Sequence, residues 1–304
     1  MHTVLWITTS LATAVLIAIA NIIDSHLLSK KMPSLSAYLL PLGIAQLIIA
    51  LAVFIIFPFP ANPDLKHILA AFGAGLCNAF SLIILLNCLL KGEVSRVIPV
   101  TSSYPIFVAL LSMPLLGEML NFGEWLAVIL TVAGAVLISL NLDSGGQKTR
   151  LQKSFFLLLF AAILSAISSI GYKYALESIS FWNTVTINAV CVVAIVLIYS
   201  LRKSTLLELK NLSQRTQKLG LIFGNQCLAL TGVTLSFIAI ANGPVALVST
   251  IMNIRPAFVF VFSLILSRFY PNFINERLDR RTVIIKIMGI VMITGGVVII
   301  GLSG

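Results

Sequence analysis

Ten apolar runs, each about as long as a bilayer is thick, constrain this chain more than any other feature. A helix that crosses lipid needs roughly 20 mostly apolar residues. The runs are 4–26, 35–57, 67–90, 94–116, 122–142, 155–176, 181–201, 218–241, 244–266 and 282–302. Backbone polar groups in hydrocarbon must be satisfied within the segment, so these runs predict helices. Short alternating strands, as a barrel would need, do not occur. The expectation is an all-α polytopic membrane protein with ten spans.

Composition agrees. The chain of 304 residues is 59% hydrophobic and only 10% charged, against roughly 25% charged in soluble domains. Its net charge is +10, but the basic residues lie in short loops and none interleaves with aromatics to cradle a strand. Nucleic acid is therefore not an expected partner. The partners are the lipid bilayer and a small-molecule substrate, and a homodimer is allowed. The run that begins at Val4 reads as the first span and not as a removable leader, because no basic stretch precedes it.

Cys77, Cys88, Cys191 and Cys227 lie inside apolar runs with no CxxC spacing, which reads as packing. His2, His26 and His67 are scattered. No metal site and no cofactor are expected. No HExxH, nucleophile elbow or paired-aspartate motif occurs, and Gly145-Gly146-Gln147-Lys148-Thr149 lacks the spacing of a phosphate loop. Catalysis and ATP-driven pumping are therefore disfavoured, so the protein reads as a non-enzyme.

The chain divides at a polar connection, residues 143–154, into repeats 1–142 and 155–304. Gly92 opens the fourth span and Gly243 the ninth. Pro105 and Pro256 follow, each thirteen residues on. Gly73 and Gly224 keep the same 151-residue offset. Ala133-Gly134-Ala135-Val136-Leu137 ends the fifth span, and Gly295-Gly296-Val297-Val298-Ile299 ends the tenth. Five spans per repeat is an odd number, so the second repeat is inverted relative to the first, a common transporter plan. The segment 202–217 reads either as a short interfacial helix or as a solvated loop.

Lys and Arg concentrate in the loops after the odd-numbered spans, among them Lys30, Lys31, Lys91, Lys148, Arg202, Lys203, Arg268 and Arg277. By the positive-inside rule those loops are cytoplasmic, in a cell (inner) membrane.

Polar groups at membrane depth are costly and point to function. Arg255 stands about 18 Å along the ninth span, near the midplane, directly before Pro256. Proline frees a carbonyl on the preceding turn. Arg255 reads either as a cavity residue that meets an anionic group or as a structural partner of carbonyls or of Asp24. Tyr104 occupies the matching place before Pro105. Asp24 and Lys173 end the first and sixth spans. Asp24 is a candidate to carry a coupled proton, with an interfacial charge beside Lys30 as the alternative. Lys173 is expected to snorkel to the headgroups. Asn78, Gln226 and Asn253 are further candidates for substrate binding. Other mid-depth amides, Asn225 and Asn188 among them, read as helix glue. Gly220-xxx-Gly224 and Ser165, Ser168 and Ser169 predict close helix contacts. Glu118 reads as a cap or an interfacial charge.

The order Gly92, Pro105, Gly117-Glu118, Gly134, then Gly243, Pro256, Gly296 resembles the drug/metabolite transporter superfamily, EamA type, over essentially the whole chain. The second repeat departs from the pattern at Ser267-Arg268, where the Gly-Glu pair is missing. The resemblance implies a secondary transporter of a small metabolite such as an amino acid or sugar, working by alternating access with export favoured. It also implies that spans three, four, eight and nine line the path, which places Asn78, Tyr104, Gln226 and Arg255 on it. Usual practice in that family puts both termini inside, opposite to the charge rule. A non-transporting membrane scaffold is the alternative reading. A lipid-modifying enzyme would need a catalytic constellation that the sequence lacks.

Overall fold

A computed structural model of the chain describes residues 2–59, 64–91, 100–139, 151–269 and 280–303. The described residues contain helices and no strand. Eight of these helical segments are long and apolar enough to span a bilayer, and two shorter apolar helices, Tyr104–Leu116 and Phe122–Ile138, complete the expected ten.

The elements run in chain order as α1 (His2–His26, extended by a π turn, Leu27–Lys31), α2 (Leu35–Ile56), α3 (Leu65–Lys91), α4 (Tyr104–Leu116) and α5 (Phe122–Ser139). The second half holds α6 (Leu151–Ala175), α7 (Phe181–Ser200), α8 (Lys203–Lys210), α9 (Arg215–Asn242), α10 (Val245–Met252), α11 (Arg255–Phe269) and α12 (Arg280–Ser303). Segment 202–217 thus resolves in favour of a short helix, α8, which buries Thr205 and Leu209 and exposes Leu206 and Leu207. Residues 94–99 and 140–142 of the expected spans lie outside the described residues, as do Glu93, Glu276 and the Gly145–Thr149 fragment.

Local chemistry explains the boundaries. Ser34 and Ser180 each cap the helix that follows, accepting from the Ala37 and Asn183 amides at 3.1 and 3.3 Å. Helix α4 ends at Gly117, whose φ of 69° is the left-handed conformation that glycine adopts freely.

Side chains are distributed as lipid demands. Large apolar groups face outward: Ile198 is 79% and Val291 65% exposed. Small and polar residues fill the interior, including Ala14, Ala18, Ala135, Ala161, Ser10, Thr13, Ser112 and Thr131. Lipid tails give apolar side chains no reason to leave the surface, so helices associate through small residues and hydrogen bonds.

Helix α5 packs against α12, α2 against α7 and α4 against α10. Helix α3 packs against α6 and α7, and α1 against α9, α10 and α11. Helices α4 and α6 touch, as do α2 and α9. Individual contacts recur at the offsets seen in the sequence. A methyl built on Gly134 would lie 2.5 Å from the Gly289 carbonyl oxygen, and one on Gly296 would lie 2.8 Å from that of Ala127. The two pairs interchange when 162 residues, the Gly134-to-Gly296 spacing, separate the halves. Gly171 meets Ala74 and Asn225 meets Ala20, a pairing that interchanges at the 151-residue offset.

The small-residue expectation therefore holds at different positions from those named. Gly220 and Gly224 have open space around them. Spacing alone does not say which helix face meets a neighbour. The serines do make close contacts. The Ser81 hydroxyl lies 2.8 Å from that of Ser165 and donates to the Ala161 carbonyl, joining α3 to α6.

Overpacking a tight site costs about 1–3 kcal/mol, sometimes more. Gly134→Val should lower the midpoint of thermal unfolding in detergent by several degrees, whereas Gly220→Ala should lower it not at all. A Gly134→Val protein as stable as the parent would contradict the packing of α5 on α12.

Candidate functional site

Both proline-containing spans break at the same place. Val100 and Thr101 are helical, Ser102 and Ser103 form a turn, and α4 begins at Tyr104. Likewise α10 ends at Met252, Asn253 and Ile254 form a turn, and α11 begins at Arg255. Pro256 has no N–H to return to Met252, so that carbonyl is left without its helical partner. The Arg255 Nε–H donates to it at 3.2 Å.

The two breaks meet. Asn253, 2% exposed, donates its amide to the Ser102 carbonyl at 2.7 Å. The Tyr104 hydroxyl donates to the Ser249 carbonyl at 3.1 Å and lies within hydrogen-bonding reach of the Arg255 guanidinium. Arg255, Tyr104 and Asn253 are thus one cluster at mid-depth. A guanidinium carries five N–H donors. Among the described residues Arg255 has the Met252 carbonyl and the Tyr104 oxygen to receive them, and it forms no ion pair. It remains partly exposed, at a depth where charge is expensive.

The other candidates lie elsewhere. Asn78 donates to the Asn188 Oδ1 at 2.9 Å, which also accepts from the Tyr172 hydroxyl at 2.6 Å, tying α3, α6 and α7 together. Gln226 is buried, with no hydrogen bond to another described residue. Asp24 is not a lone interfacial charge. The buried Tyr38 hydroxyl and the buried Asn225 amide both donate to its Oδ1. Sequence reasoning missed Tyr38 altogether and treated Asn225 as glue, and only the packing of α1, α2 and α9 identifies them.

A second cluster closes the junction between α9 and α10. The last carbonyls of any helix lack partners, and Pro244 has no N–H to offer them. Lys173 supplies the donors, reaching the carbonyls of Ile240, Ala241 and Gly243 at 2.8, 3.4 and 2.9 Å. The expectation that it snorkels to headgroups is corrected: these carbonyls are nearer and need three donors. Glu118 does act as a cap, but of a helix 127 residues away. Its two oxygens accept from the Val245 and Ala246 amides at 2.8 and 3.4 Å. Both charges oppose the partial charges of the helix ends they touch. The Trp6 ring covers Gly243, where a methyl would lie 2.6 Å from the ring.

Nearby, at the start of α3, Asp64 accepts from the Lys66 amide at 3.0 Å and pairs with His67 at 2.8 Å. The Lys66 N–H chiefly, with His67 beside it, holds the Asp64 carboxyl below its ordinary range. His67 stacks on Tyr174. Among the described residues no group of His, Cys, Asp and Glu could hold a metal, and the four cysteines are free.

Comparison with known proteins finds a match for the first repeat. Residues 4–140 match the EamA-like transporter family, so this half of the chain is similar to transporters of that type. Its apolar helices make the protein an integral multi-pass membrane protein. A solved structure described only as the crystal structure of a protein shares its fold, with a TM-score of 0.68 at 14% identity over 99% of this chain and 96% of the other. No curated protein matches it.

Losing a helix cap costs about 0.5–2 kcal/mol. Glu118→Ala and Lys173→Ala should each lower the protein's unfolding midpoint. The double variant should lose less than the sum, because both side chains hold one junction. Strictly additive shifts would show that the two charges act independently.

Proposed function

We propose that this transporter moves a small metabolite by alternating access between two inverted five-helix repeats, residues 1–142 and 155–304, joined by 143–154. The carrying observation is the contact of Asn253 with Ser102. Exchanging the halves by 151 residues turns this pair into itself, so the two breaks touch on the axis that would relate the repeats. The recurring contacts of α5 with α12 and of α3 with α6 support the same axis. Each half has a proline-softened span there, and one hydrogen bond joins the two breaks. Inverted repeats that rock about a midplane site formed by interrupted helices are an established plan for secondary transport.

In this reading Arg255, Tyr104 and Asn253 form the substrate site, and Pro105 and Pro256 are the pivots. Asn78 and Gln226 line the route further out. The unused donors of Arg255 suit an acidic group on the cargo, such as the carboxylate of an amino acid or organic acid. The loops rich in Lys and Arg face the cytoplasm of a cell membrane, and the favoured direction is export.

The purified protein in liposomes should move at least one member of a labelled panel of amino acids, organic acids and sugars. A hydrogen bond to a charged group is worth about 1.5–3 kcal/mol, so Arg255→Ala should slow that flux roughly tenfold to a hundredfold. Arg255→Lys should recover part of it. No flux from the parent protein would remove the transport reading. Flux undiminished in Arg255→Ala would leave transport standing and remove the site.

A further inference from the structure

Residues 201–218 join α7 to α9 and carry Arg202, Lys203, Lys210, Arg215 and Lys218 against one acid, Glu208. Arg202, Lys203, Lys210 and Arg215 are exposed. The substrate site proposed above uses none of them. Helix α8 lies within this stretch, and its inner side is fixed. Leu209 is buried in one cluster with Leu35, Tyr38, Leu39, Val196 and Ile222, and Thr205 is 2% exposed. The Ser34 hydroxyl that caps α2 donates to the Glu208 carboxylate, so the acid of the stretch is engaged by the protein.

The outer face of α8 is of another kind. At about 100° per residue, Lys203, Leu206, Leu207 and Lys210 fall within an arc of about 100°. Leu206 and Leu207 are 52% and 60% exposed, between two exposed lysines. A helix turned to water gains nothing from two adjacent exposed leucines. A helix lying along a bilayer sinks its leucines toward the acyl chains and keeps its lysines among the headgroups. The neighbours of α8 put it at that level. Helix α7 is a span that ends at Ser200, α9 is one that begins at Arg215, and α8 packs against α2 near its start. At the end of α7 the Arg202 guanidinium lies over the Tyr199 ring, 5.9 Å from its centroid. Tyrosine is enriched at the headgroup level of membrane spans.

We propose that α8 is an interfacial anchor that selects anionic phospholipid. Leu206 and Leu207 enter the boundary between headgroups and acyl chains. Lys203 and Lys210, with Arg202 and Arg215 beyond the two ends of the helix, gather the headgroups. Every phospholipid has a phosphate, but a zwitterionic one also carries an ammonium group that the lysines repel. The surplus of cations on this face therefore favours headgroups with net negative charge. A soluble acidic protein would answer the same charge. Yet α8 lies against the ends of three spans, where the bilayer already reaches its leucines. The anchor does not depend on what the protein moves, so it and the transport reading fail separately.

Leu207→Trp places a reporter on the exposed face. Its added emission in liposomes is the difference from the parent, which has Trp6, Trp125 and Trp182. Phospholipids with brominated chains should quench it. In mixed bilayers, brominated phosphatidylglycerol should do so at a lower mole fraction than brominated phosphatidylcholine. Adding Lys203→Gln and Lys210→Gln changes only exposed positions and leaves Thr205 and Leu209 in place. It should reduce that preference roughly fivefold. Raising the salt concentration should weaken the preference while both lysines are present. Emission at the wavelength of an indole in water, quenched by neither lipid, would overturn the anchor and point to a soluble partner for this face. Equal quenching by the two lipids, or a preference unchanged without the lysines, would overturn the selection of anionic lipid.

Discussion

Hydrocarbon supplies no hydrogen bonds, and the interior of this protein is arranged around that fact. A helix interrupted at mid-depth exposes carbonyls and amides that water would satisfy elsewhere. Here each interruption is completed by the other. Asn253 serves the Ser102 carbonyl, Tyr104 serves that of Ser249, and Arg255 serves the carbonyl that Pro256 frees.

The same rule shapes the junction of α9 and α10. Its helix ends carry opposite partial charges, and Lys173 and Glu118 meet them from α6 and from the segment after α4. Three separate stretches of chain are drawn to this junction, with Trp6 closing over Gly243. The junction lies at the end of α9 away from Arg215 and Lys218, and two charges and an aromatic ring hold it together. Near the other end of α9 the Asp24 carboxyl accepts from the neutral Tyr38 and Asn225 side chains.

The parts of this arrangement that were readable in sequence are those set by period and offset. Apolar runs of about 20 residues gave the spans, and the 151-residue offset paired Tyr104 with Arg255 before either was seen in space. Facing could not be read. Asn225 and Gln226 are neighbours in sequence but point about 100° apart on a helix, and which one turns toward Asp24 depends on where α1 lies. Gly220 and Gly224 have a close-packing spacing yet meet nothing, whereas Gly134, Gly289 and Gly296 lie at the α5–α12 contact. Lys173 follows the rule for a long cation near a helix end only until α9 ends beside it. That ending is set by Pro244, seventy-one residues later in the chain.

Helix α9 ties these regions to one another. It presents Asn225 to Asp24 near one side of the membrane and gives Ile240 and Ala241 to Lys173 near the other. Fifteen residues of continuous helix separate the two contacts, about 22 Å of rise. One continuous helix therefore joins the two contacts. Helix α1 runs alongside with Asp24 at one end and Trp6 at the other, against α9, α10 and α11. Helix α1 therefore packs on both sides of the break between α10 and α11.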